Sequence, residues 1–212
     1  MKAGAEDVEG IAQRRHGAAI AVLPMGDVGE AAVRVVAANV QTVLGLPTDR
    51  LPRIPVPETC YVPERRQYDA ARIIAYLQSW SAGLPHLKIL ALLALDMGVP
   101  ILRFVFGEAQ LGGRCAVVSS FRLRRNPDGT DVGLEHSYER LAKVALHETG
   151  HTFSLFHCDD PRCLMHFAPS VQHLDRIRLF FCSRCDFLWK ETRKSLALEP
   201  VLGKRGMTPQ AP

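Results

Sequence analysis

One eleven-residue run constrains this chain more than anything else in it: His147-Glu148-Thr149-Gly150-His151-Thr152-Phe153-Ser154-Leu155-Phe156-His157. His147 and His151 are four apart. On a helix that spacing puts both rings on one face at neighbouring heights, where they can grip one Zn²⁺ at about 2.0–2.1 Å each. Glu148 stands about 100° round the same helix. It is placed to meet a water on the metal and not the metal itself. His157 lies six residues beyond His151, and a continuous helix would carry it away. The helix must therefore break between Phe153 and His157 and turn the chain back. Three neutral imidazoles then leave one coordination position open, which marks a catalytic rather than a structural zinc. The plain reading is three satisfied histidines on an ordinary helix. With 8 His in the chain, chance produces the full pattern in about one such sequence in two thousand.

Four cysteines follow at once: Cys158, Cys163, Cys182 and Cys185. Cys182-x-x-Cys185 is a knuckle that offers two thiolates to one tetrahedral metal, and the spacing of Cys158 and Cys163 also suits zinc. Two disulfides or four buried thiols are the alternatives. The opening residues, MKAGAEDVEG, hold no apolar run, so we expect a cytoplasmic protein, where Cys₄ zinc is favoured over disulfides. His157 and Cys158 are adjacent, so the two metals should lie within roughly 14 Å of each other. The Cys₄ zinc would then anchor the segment that delivers the third histidine. Cys60 and Cys115 read as ordinary buried thiols.

The rest of the chain reads as one compact α/β or α+β unit. Of 212 residues, 47% are apolar and 23% charged, which excludes collagen-like, coiled-coil and wholly disordered chains. No apolar run is long enough to span a bilayer. The net charge of +4 is too mild to imply nucleic acid. Residues 1–16 read as a flexible segment, 17–192 as the domain, and 193–212 as a flexible tail. Strands are expected over 17–23, 87–95, 101–105 and 114–123. Helices are expected over 30–44, 68–80 and from Ser137, a plausible N-cap, to Thr152. Residues 47–63 hold five prolines and read as a loop with one extended segment. Residues 106–113 also read as a loop, and 171–181 as a last amphipathic piece.

The histidine run is similar to the metzincin metallopeptidase signature. Its continuation, His157-Cys158-x₄-Cys163-Leu164-Met165 and then Cys182-x-x-Cys185, resembles the archaemetzincins. The pieces IAVLPMGDV, RFVFGEAQLGGRCAVVSSFRLR and SYERLAKVALHE extend the likeness over most of residues 18–190. The resemblance implies a metzincin-like domain, with a twisted mixed sheet packed on helices, an active-site helix and a C-terminal Cys₄ subsite. It carries over His147, His151 and His157 as catalytic zinc ligands, Glu148 as general base and Met165 as the Met-turn methionine beneath the metal. The cofactors would be two Zn²⁺ per chain, one catalytic and one structural. Two positions stand out. The family usually has Gly at position 154, and a Ser in the left-handed region costs about 1–2 kcal/mol more. Gly150 inside a helix costs about 1 kcal/mol; close packing against the turn or a simple tolerated defect would explain it.

The function these readings favour is a zinc-dependent peptidase, a monomer acting on peptide or protein substrates, with a zinc-bound water activated by Glu148. A substrate strand would pair with an exposed sheet edge, which we place at Cys115–Phe121. His166 and His173 lie near the methionine turn, where either could serve the cleft. Two rivals remain. One is a catalytically silent zinc protein that binds peptides or partners in the same cleft. The other is a zinc-ribbon nucleic-acid module, but Arg162, Arg176, Arg178 and Arg184 lack interleaved stacking aromatics.

Overall fold

The computed structural model describes residues 18–198. The segment 1–16 and residues 199–212 of the tail, both expected to be flexible, lie outside the described residues. In chain order the first half comprises β1 (Ile20–Pro24), α1 (Glu30–Leu44), β2 (Thr48–Arg50), β3 (Tyr61–Val62), β4 (Gln67–Asp69) and α2 (Ala70–Trp80). The second half comprises β5 (Lys88–Leu93), β6 (Met97–Gly98), β7 (Gly107–Ala109), β8 (Cys115–Ser119), α3 (Leu134–Thr152), α4 (Val171–Arg176) and α5 (Ser183–Ser195).

β1, β5 and β8 are buried at every position. Strands with no polar alternation need cover on both faces, which parallel strands with helical crossovers provide. The main sheet has the order β2-β1-β5-β8-β7, parallel except for β7. Successive side chains go to opposite layers. Ile20, Val22, Leu90, Leu92 and Val118 meet Val36 of α1 and Val144 of α3. Ala21, Leu23, Ile89, Ala91 and Val117 meet Ile73 and Leu77 of α2. Truncating a member of this core, such as Leu92→Ala, costs about 2–5 kcal/mol. α1 ends where Gly45 takes φ +67° and returns its N–H to Gln41 O, the left-handed exit that glycine makes without Cβ strain. A second small sheet, β3-β4-β6, flanks the main one.

The segment 101–105, expected as a strand, is irregular. Side chains take carbonyls within it: Arg65 donates to Leu102 O and Arg103 O, and Gln67 also donates to Arg103 O, while Arg65 holds Val99 O just before it. The expected loop 106–113 instead contains β7, recruited by backbone pairing to β8. β8 is therefore internal, and the placement of the exposed edge at Cys115–Phe121 is wrong. The edge is β7. The active-site helix starts at Leu134 with Gly133 as N-cap. Ser137 is buried in its first turn and donates its N–H to Gly133 O. The 171–181 piece is helical only to Arg176, and a further helix, α5, runs to Ser195. That helix runs past residue 192, the expected end of the domain.

Candidate metal centre and cleft

α3 carries His147, Glu148 and His151 in its last two turns. The helix then stops as a Schellman turn. Leu155 N donates to Gly150 O at 3.1 Å and Ser154 N to His151 O at 2.9 Å. Ser154 occupies the left-handed position at φ +63°, so the turn follows the glycine path despite its Cβ. That reversal brings His157 back beside its partners. The three imidazole centroids lie 4.5 Å (His147–His151), 4.8 Å (His151–His157) and 5.3 Å (His147–His157) apart.

The hydrogen bonds fix the ring tautomers. His147 Nδ1 lies 2.9 Å from Leu164 O and His151 Nδ1 lies 2.7 Å from Leu155 O. A carbonyl only accepts, so each Nδ1 carries the proton and each Nε2 presents a lone pair. Those two Nε2 atoms are 3.0 Å apart. Two lone pairs at that distance repel unless a cation lies between them. A tetrahedral Zn²⁺ with bonds near 2.05 Å holds its nitrogens roughly 3.3 Å apart. One ligand atom from each of the three histidines falls in a group no wider than 4.8 Å. The donor set therefore fits a zinc ion. Burial, with His151 adding to it, pulls the His147 pKa down to about 3, so the ring stays in its neutral, ligating form. Burial also lowers the His151 and His157 pKa values.

Glu148 is buried. Burial, aided by the Glu108 carboxylate, pushes its pKa up to about 8. Met165 is wholly buried beneath the helix. A Cβ on Gly150 would stand 2.7 Å from Met165 Sδ, which is the reason for a glycine inside α3.

Cys158, Cys163, Cys182 and Cys185 form a second group, with their sulfurs within 4.8 Å of one another. None is in a disulfide. Cys158 Sγ and Cys182 Sγ are 3.7 Å apart, against roughly 3.8 Å for sulfurs on one tetrahedral zinc. Cys163 Sγ accepts from Met165 N and Cys182 N, contacts that suit a thiolate. The two groups share a hinge. Cys158 N donates to Met165 O at 2.9 Å, and His166 Nδ1 donates to Cys158 O at 2.7 Å. Cys60 and Cys115 are buried thiols, their pKa values raised by burial.

A cavity of about 550 Å³ opens onto His147, Glu148, His151 and His157, with Phe106, Val144, Leu164 and Ile177 among its walls. His166 lines it, whereas His173 hydrogen-bonds Ser170 Oγ at the start of α4. β7 forms one rim. Ser119 N donates to Phe106 O and Gln110 N to Cys115 O, so residues 106, 108 and 110 bond inward. By the alternation of an antiparallel ladder, Gly107 and Ala109 turn their N–H and C=O outward.

Lys88 is a support that sequence reasoning missed. Its ammonium lies 2.6 Å from both Thr152 O and Gly113 O, and 4.7 Å from the Phe153 ring centroid. It caps the negative end of α3, where a cation offsets the helix dipole, and ties that end to the loop after β7. No periodicity signals this, because a lysine opening a strand reads as solvent-facing.

A sequence model described as "Peptidase family M54" matches residues 27–191, most of the chain. The chain belongs to peptidase family M54. The archaemetzincin of Archaeoglobus fulgidus is 37% identical over 154 residues, covering 72% of this chain and 88% of that protein. The crystal structure of the archaemetzincin of Methanopyrus kandleri matches with TM-score 0.73 at 33% identity, covering 85% of this chain and 98% of that one. A structure described as a zinc-dependent peptidase from Methanocorpusculum labreanum matches with TM-score 0.74 at 30% identity, covering 80% and 99%. Membership in family M54 makes this chain a metallopeptidase by class, and the mixed α/β fold is the one those archaemetzincins have. Among the described residues no helix is long and apolar enough to cross a membrane.

Proposed function

We propose that this member of peptidase family M54 hydrolyses peptide bonds at the three-histidine site, with one catalytic zinc there and one structural zinc on the four cysteines. The observation that carries the reading is the pair of Nε2 lone pairs 3.0 Å apart, each backed by an Nδ1–H bond to a carbonyl. His147, His151 and His157 would hold the catalytic ion; Cys158, Cys163, Cys182 and Cys185 would hold the structural one. A Zn²⁺ on three neutral imidazoles supplies Lewis acidity at an open position and brings the pKa of water there toward about 7.

The remaining work falls to side chains and backbone. Glu148 takes the proton of the attacking water and passes it to the leaving amine. The outward N–H and C=O groups of Gly107 and Ala109 bind the substrate backbone as an added strand. The apolar walls beside Glu148 favour a bulky apolar side chain next to the scissile bond. Met165 supports the floor, and the bond from Cys158 N to Met165 O holds His157 in register. The acting unit is a monomer spanning the domain that begins near residue 17.

Metal analysis together with a peptide library tests this. Two zincs per chain and cleavage that disappears in Glu148→Ala support it. Peptide binding without turnover in the zinc-loaded protein would favour a silent binding role, and cleavage that survives Glu148→Ala would show a contaminating protease.

A further inference from the structure

We propose that Gly107 is a positioning residue for Glu148. The edge strand has no side chain there because its backbone lies directly on the carboxylate that works beneath it. This rests on the reading of Glu148 as the base.

Three observations carry the inference. First, Gly107 is not needed for backbone conformation. The glycines with positive φ among the described residues are Gly26, Gly45, Gly112 and Gly129, and Gly107 is an ordinary strand residue opposite Val118. A glycine in a strand costs chain entropy and marks a place where another group comes close. Second, that group is Glu148. A Cβ on residue 107 would stand 2.5 Å from Glu148 Cγ, 2.8 Å from Oε1 and 2.9 Å from Cδ. The three nearest atoms all belong to that one side chain. Third, neither partner can simply back away. β7 is held to β8 on both sides of Gly107, through Phe106 O and Gln110 N. Glu148 is only 8% exposed on a buried helix face. A methyl group at 107 would therefore turn the carboxylate out of its present stance.

The same residue turns its N–H and C=O outward along the free edge. Gly107 thus joins two tasks on one peptide unit, a rung for the substrate strand and a fixed gap above the base. A side chain at 107 should leave the rung intact and disturb only the base, so turnover and substrate affinity should separate.

The test uses zinc-loaded wild type, Gly107→Ala, Glu148→Ala and the double variant. Four readouts apply: zinc content, melting temperature, peptide turnover, and affinity for a peptide hydroxamate, whose zinc-binding group shares a proton with a neighbouring carboxylate. Gly107→Ala should keep its zinc and its KM within about twofold, and lose at least about tenfold in kcat and in hydroxamate affinity. Alanine at 148 removes Cγ, the atom nearest the added methyl, and everything beyond it, so the double variant should be no worse than Glu148→Ala alone in zinc content, melting temperature and hydroxamate affinity. Wild-type values in Gly107→Ala, or losses that simply add in the double variant, overturn the proposal. Zinc loss or unfolding in Gly107→Ala that persists in the double variant also overturns it, and repair by Glu148→Ala supports it. If the wild type cleaves nothing, the reading of Glu148 as base fails, while the hydroxamate titration still decides whether Gly107 sets its stance.

Discussion

The two metal-binding groups use opposite constructions. The histidine group hangs on the end of one long helix and faces a cavity of about 550 Å³. Two of its rings are braced from behind by carbonyls at Leu155 and Leu164. The cysteine group is gathered from two loops and the first turn of α5, with Cys163 and Cys185 buried and Cys158 and Cys182 half-buried. An open set of neutral donors can exchange a ligand for a substrate, whereas a closed thiolate set can only hold chain segments together. The chain links the two groups twice: His157 is bonded directly to Cys158, and Leu164, whose carbonyl braces His147, follows Cys163.

The sharpest way to break this contrast is at Glu148. Glu148→Ala should lower kcat by about 10²–10⁴-fold while both zincs stay bound, checked by turnover and metal analysis on one preparation. The closed site should respond differently. Cys182→Ser is expected to weaken zinc at the histidine site by about 10–100-fold, although residue 182 touches none of those rings. Competition with a chromophoric chelator measures it, and unchanged affinity would show that the hinge carries no support. Graded chelation should extract the ion at the open site first and stop activity before the fold melts, with the Cys₄ ion leaving later; simultaneous loss would erase the distinction. Smaller effects sharpen the picture at the helix end. Gly150→Ala sets a methyl against Met165 and should cost about 1–3 kcal/mol in denaturant unfolding of the zinc-loaded protein. Ser154→Gly relieves a left-handed serine and should gain about 0.5–1 kcal/mol in the same measurement.

The legibility of these regions differs for physical reasons. β1, β5 and β8 are readable because uniformly apolar runs have few other places to go. α1 is readable from its spaced valines and its Gly45 stop. The 101–105 stretch is misread because its apolar residues line a cleft, while Arg65 and Gln67 take the carbonyls a strand would need. β7 is invisible in advance because Gly-Glu-Ala has little strand preference of its own. It is a strand because β8 offers it an unpaired edge. Lys88 and Gly107 are missed for the same reason. Each matters through a neighbour distant in sequence, Thr152 in one case and Glu148 in the other.

What residue order alone determined is the chemistry of the donors: three imidazoles and a carboxylate on a helix that must break, then four thiols at zinc spacing. Local geometry governs such patterns, since the pitch of a helix and the reach of a side chain are properties of the chain itself. Tertiary structure decided which strand borders the cleft, how closely that strand approaches Glu148, and that Ser154 takes the left-handed turn. Those outcomes depend on free energies of packing and pairing between distant segments, which no single stretch of sequence contains.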